Sequence, residues 1–140
     1  MKKVIAVFLV FALCSSVLLV PAWARSGEVA APYYANVSSA QTSLTIDENG
    51  KASILVYCLG SASVKSIKAT TYLEKKVNGS WSRVDIDQPN DQWVSTTTSR
   101  IFSVTRTHDL TSRGTYRAVT VFVVTAGTAE TITVYSEATY

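Results

Sequence analysis

Midway along the chain, Asn78 and Gly79 stand between two segments that alternate in polarity, "TTYLEKKV" and "SWSRVDI". No other feature limits the fold so tightly. A two-residue loop of this kind closes a type I′ hairpin, because both central residues must adopt positive φ, which Asn and Gly tolerate best. Val77 then faces Ser80, Lys76 faces Trp81, Glu74 faces Arg83, Leu73 faces Val84 and Thr71 faces Ile86. One face carries Thr71, Leu73, Val84 and Ile86 and turns inward; the other carries Tyr72, Glu74, Lys76, Trp81 and Arg83 and turns outward. A slip of one residue would bury Glu74 and Arg83, so the pairing is well specified. Opposed charges, and a lysine stem lying on an indole, add a few tenths to ~1 kcal/mol each.

The segments around this hairpin read the same way. From Thr42 onward Ser, Thr, Val, Ile and aromatic residues dominate, turn formers recur every ten residues or so, and no helical period appears. Strands are predicted at 42–46, 51–60, 65–77, 80–86, 98–108, 115–125 and 129–138. In "KASILVYCLG", Ala52, Ile54, Val56 and Cys58 alternate with Ser53, Leu55, Tyr57 and Leu59. Apolar residues on both rows predict an interior strand. The run from Arg117 to Thr125 has the same property and belongs at a sheet centre. Phe102 and Val104 form an inward pair capped by Leu110. In the last hairpin a two-residue loop aligns Val121 with Ile132, whereas a three-residue loop aligns Phe122 with it; both remain open. About seven antiparallel strands predict an all-β, immunoglobulin-like sandwich. Tyr116, entering a strand just after a turn, resembles the tyrosine-corner position of that fold. Cys58 is the one cysteine outside the N-terminal apolar run, so no disulfide pair is expected; that, and the lack of a tryptophan in the third strand, separate it from antibody-type domains.

Ahead of the strands, "MKKVIAVFLVFALCSSVLLVPAWA" has two lysines, an apolar run from Val4 to Val20, Pro21 and then Ala22-Trp23-Ala24. That is the pattern of a cleavable signal peptide. The run is short for a membrane anchor, which needs roughly 20 apolar residues. Bulky Leu13 before Cys14 argues against a lipid attached there. The predicted plan is a signal peptide over 1–24, a loose lead-in over 25–41 and one sandwich domain over 42–140. A secreted or envelope-associated protein follows, with no stable membrane insertion after cleavage. The formal net charge of +3 includes Lys2 and Lys3, so the exported part is less basic than the whole. No basic stripe appears, so nucleic acid is not an expected partner.

Three stretches, "YLEKKVNGSWSRV", "GTYRAVTVFV" and "ETITVYS", together resemble short exported proteins of Gram-positive bacteria that consist of a leader and one Ig-like domain, a family of unknown function. The resemblance covers most of the chain after the leader. It implies the fold and the compartment and adds no activity.

Candidate sites are sparse. His108 and Asp109 are the sole histidine–acid neighbours, but adjacent strand residues point to opposite faces, and no serine sits in a Gly-x-Ser-x-Gly elbow. A surface histidine at a strand end is expected. Cys58 lies on an apolar row and is expected to be buried and inert rather than nucleophilic. Asp85, Asp87 and Asp91 lack the glycine of a calcium loop, so a solvated turn is expected and no metal or other cofactor. The aromatic residues remain. Tyr72 and Trp81 share the outward face with Arg83, with Trp93 in the next loop and Tyr33-Tyr34 near the start. Such a set can stack sugar rings, or it can simply cover a sheet. The expected function is a non-catalytic binding or structural module, partnered by cell-wall glycan or another envelope protein. The alternatives are a secreted antibacterial or inhibitory effector and, less favoured, a small secreted hydrolase.

Overall fold

The computed structural model describes residues 34–140. The segment read as a signal peptide, the cleavage point expected after Ala24, Tyr33 and most of the expected lead-in lie outside the described residues. Eight strands follow one another: β1 (Val37–Ile46), β2 (Lys51–Gly60), β3 (Ser66–Val77), β4 (Ser80–Arg83), β5 (Trp93–Thr97), β6 (Ile101–Asp109), β7 (Thr115–Thr125) and β8 (Ala129–Thr139). They form two antiparallel sheets. One has the order β1-β2-β6, and the other β4-β3-β7-β8, with β5 pairing the same edge of β3 as β4. Among the described residues no helix is long and apolar enough to cross a membrane.

Both sheets contribute one inward row per strand to a shared core. Ala52, Ile54, Val56 and Cys58 of β2 are fully buried, as are Ile67 and Leu73 of β3 and Ala118, Phe122 and Val124 of β7. Phe122 and Phe102 meet edge to face with ring centres 6.2 Å apart, joining the sheets through the middle. Thr71 and Thr120, also buried, share a hydrogen bond of 3.0 Å, so neither hydroxyl is left without a partner. On one side the sandwich is closed where the Leu44 amide donates to Ser136 Oγ at 3.1 Å. On the other side Arg106 of β6 reaches Ser95 of β5 with a bond of 2.5 Å. Arg106 points inward from an edge strand, a device that discourages strand-to-strand association.

The hairpin forms in the expected register: Glu74 pairs Arg83, Lys76 pairs Trp81 and Val77 pairs Ser80. Asn78 (φ 51°) and Gly79 (φ 83°) both take the positive φ that the turn demands. Three expectations change. The first strand starts at Val37, inside the supposed lead-in, because backbone pairing with β2 recruits the polar stretch "VSSAQ". β4 ends at Arg83, and the edge of β3 passes to β5, so Thr71 faces Trp93 rather than Ile86. β5 begins at Trp93, read as the end of a loop, and runs to Thr97 through residues assigned to no strand. β2 is the middle strand of its sheet, as the apolar residues on both its rows predict, and its outer row is open to solvent, with Leu55 43% exposed. The last hairpin uses three loop residues, which sets Phe122 opposite Ile132.

Tyr116 ties a corner of the fold. Its ring is buried, and its hydroxyl donates to the Ser112 carbonyl at 2.6 Å, holding the β6–β7 turn against β7. Lys75 supports the same corner, with Nζ donating to Ser112 Oγ at 2.7 Å and lying 5.5 Å from the Tyr116 ring centre.

Candidate functional site

The outer face of the larger sheet gathers the site. Residues of β3, β4, β7 and β8 that point away from the core stand in adjacent rows, because directly paired residues share a face. Arg83, Glu74, Arg117 and Glu137 form one row of alternating charge across four strands. Tyr72, Val119 and Tyr135 form the next row. Trp81 and Lys76 are paired beyond the charged row.

Side-chain contacts lock these rows together. The Arg83 guanidinium carbon lies over the Tyr72 ring, 3.4 Å from its centre. Arg117 sits 4.4 Å from the Trp81 ring centre and 6.0 Å from that of Tyr135. Its Nε donates to Glu74 Oε2 at 2.6 Å, with the two side chains 26% and 14% exposed. Lys76 Nζ lies 5.6 Å from the Trp81 ring, as the hairpin register implies. Each cation–π contact at such half-exposed positions contributes ~0.5–1 kcal/mol. Val119, an outward residue, is almost wholly covered between Tyr72 and Tyr135.

This geometry sorts the residues singled out in the sequence. Tyr72, Trp81 and Arg83 are together on one face. Trp93 is not with them. It pairs with buried Thr71, so it points to the inner side, where it is half-buried against the core. Tyr34 also packs against the core. Arg117 and Tyr135 complete the face and were missed by local reading, because only the β3–β7 and β7–β8 pairings bring them there. Aromatic planes imagined open for stacking are partly used within the molecule: Arg83 covers one face of Tyr72, and Arg117 lies over Trp81. What the surface presents outward is guanidinium edges, a half-covered indole and Tyr135, which is 55% exposed.

The other candidates lie elsewhere. His108 is not a plain surface residue. It continues the inward row of β6, is half-buried, and lines an open cleft of about 510 Å³ with Lys75, Asp85, Asp87, Asp109 and Ser112. Among the described residues it makes no hydrogen bond to an acid or a hydroxyl group. Asp109 is exposed on the opposite row. Asp85, Asp87 and Asp91 occupy a turn in which the Asp87 amide donates to Asp85 Oδ1 at 3.0 Å. The described residues contain no group of three or more His, Cys, Asp or Glu placed to hold a metal ion. Cys58 is fully buried, and desolvation pushes its thiol up to about 11, which keeps it protonated at neutral pH. No protein-family model, curated protein or solved structure matches this chain.

Proposed function

We propose that the chain is an exported, non-catalytic β-sandwich protein of immunoglobulin-like arrangement that works by binding at the cell envelope or outside the cell. The outer face bearing Tyr72, Trp81, Arg83, Arg117 and Tyr135 carries this reading. Tyrosine, tryptophan and arginine are the residue types enriched where protein surfaces meet partners, because they bring large contact area with little flexibility. Here stacking and the Glu74 bond hold them in place before any partner arrives, which lowers the ordering cost of association. Cell-wall glycan and envelope proteins are the partner classes that fit the compartment implied by Lys2, Lys3, Val4–Val20 and Ala22-Trp23-Ala24. The immunoglobulin-like reading is supported by the β1-β2-β6 and β4-β3-β7-β8 orders and by the Tyr116–Ser112 tie.

Retention of the purified protein on cell-wall material, and on immobilised envelope proteins, tests this. Trp81→Ala is expected to lower retention severalfold while costing about 1 kcal/mol of stability, the scale for a half-exposed aromatic. Absence of retention on both materials for the unmodified protein would overturn the proposal. Retention untouched by Trp81→Ala would remove this face from it.

A further inference from the structure

The guanidinium groups that tie the aromatic face together leave most of their own donors unused. Arg117 spends Nε on Glu74, and among the described residues its two amino groups have no hydrogen-bond partner. Neither amino group is buried, so both reach solvent. Arg83 is exposed, and its one hydrogen bond among the described residues runs from Nη1 to the Asp91 carbonyl at 3.5 Å. The charge balance of the face points the same way. Lys68, Lys76, Arg83 and Arg117 stand on it against Glu74 and Glu137, and Glu74 is already committed to Arg117. Beyond the Tyr72–Val119–Tyr135 row lies a row without charge, Val94–Thr70–Val121–Thr133. Val94 in that row is 50% exposed and Val121 is half-buried. Along the strands, a partner therefore meets free cationic donors first and aliphatic side chains next.

We infer that this face takes an acidic segment of a protein, with carboxylates on the free donors of Arg83 and Arg117 and aliphatic side chains over the Val94–Thr70–Val121 row. The inference rests on the binding reading of the face and narrows it to one partner class. A guanidinium matches a carboxylate with two parallel N–H···O bonds, and the charge on both groups strengthens them. Arg83 and Arg117 flank β3, so their backbones stand roughly 10 Å apart. Residues i and i+2 of an extended segment lie ~7 Å apart on one side, and flexible glutamate side chains cover the difference. One short segment therefore engages both arginines. Sugar rings need an open aromatic plane, whereas the Tyr72 and Trp81 rings each lie against a guanidinium. A phosphate polymer would satisfy the cations and leave the aliphatic row without a partner. A protein segment supplies both chemistries.

Anisotropy titration of the purified protein with labelled probes tests the inference. The probes are a synthetic peptide of glutamates followed by leucines, the same peptide with lysine for glutamate, the same with serine for leucine, and inorganic polyphosphate. The glutamate–leucine peptide is expected to bind with a Kd between about 10 μM and about 1 mM, and to weaken at least about fivefold from about 0.05 M to about 1 M salt. The lysine peptide is expected not to bind, and the serine peptide and polyphosphate to bind at least about threefold more weakly. Arg83→Gln is expected to weaken the glutamate–leucine peptide at least about fivefold. Arg83→Lys should restore only part of that loss, because an ammonium keeps the charge and lacks the fork. Arg83 is exposed, and the thermal midpoint checks that the domain stays intact. Lys51→Gln, which removes an exposed positive charge from the other sheet, should leave binding unchanged. Absence of binding by the glutamate–leucine peptide would overturn the inference. So would equal binding of any other probe, binding untouched by Arg83→Gln, or an equal loss in Lys51→Gln. Any of these results beside intact retention on envelope material defeats this inference alone; loss of that retention as well defeats the binding reading with it.

Discussion

The two outer faces of the sandwich rest on the same two-residue alternation and differ in how far their side chains engage one another. On the β4-β3-β7-β8 sheet, Arg83 stacks on Tyr72, Arg117 reaches Trp81 and Glu74, and Val119 disappears beneath two tyrosines. On the β1-β2-β6 sheet the rows are mostly short hydroxyls and aliphatic groups with Gln41 and Tyr57 among them, and Thr45 Oγ1 reaches only the Ser53 carbonyl of its own sheet, at 3.5 Å. One face is a preassembled set of planar groups with hydrogen-bond donors at its rim. The other is a neutral surface with little internal structure. Beneath both lies one core, and the alternation lets the core and the outer faces be altered separately.

The largest effects should come from that core, irrespective of face. Phe122→Ala removes a fully buried ring from the junction of the sheets and is expected to cost about 3–5 kcal/mol in chemical denaturation. A comparable loss from any outer-face substitution would break the division between core and faces. Cys58 gives a core effect that pH can switch. Its thiol is raised from 9.0 to about 11 by burial, so above pH 9 the unfolded chain loses this proton while the folded one keeps it. Stability from this group is therefore full below pH 9 and declines as pH rises to 11, by about 2–3 kcal/mol in all. Denaturation at pH 7 and pH 10.5 should show a smaller alkaline decline for Cys58→Ala than for the unmodified protein. Labelling with a thiol reagent should require unfolding.

Smaller effects separate the two faces. Glu74→Gln leaves the Arg117 guanidinium without its carboxylate and should cost ~1 kcal/mol at low salt, less at high salt, because the pair, though mostly buried, keeps some contact with solvent. On the neutral face Leu55→Thr should stay within ~0.5 kcal/mol, since a partly exposed side chain gives way to a good strand former. Equal costs for the two substitutions would mean that the faces are alike in engagement after all.

Much of the framework was legible because it is local. Asn78-Gly79 specified its own turn, and the hairpin pairs followed from it. Alternation placed Cys58 and the inward rows, and Tyr116 announced its corner by entering a strand after a turn. The last hairpin was ambiguous because Ala126-Gly127-Thr128 has no paired turn signature, and pairing of Thr125 with Ala129 decided it. β5 was hidden behind Pro89 and Asn90, which read as loop. It forms because β4 leaves the edge of β3 unpaired beyond Arg83. The candidate face was half legible. Tyr72, Trp81 and Arg83 belong to one hairpin, whereas Arg117 and Tyr135 arrive through strands distant in sequence. Trp93 was misplaced for the same reason: its facing depends on a partner, Thr71, that local pattern cannot supply.

The account stands most directly on which outer face meets a partner. Amide chemical shifts of the isotope-labelled protein, recorded during titration with solubilised envelope material, address that point residue by residue. Perturbations are expected to cluster at Tyr72, Trp81, Arg83, Arg117 and Tyr135 and to spare Ser53, Leu55, Ser103 and Thr105. A cluster on those last four residues instead, or in the cleft around His108, would contradict the account.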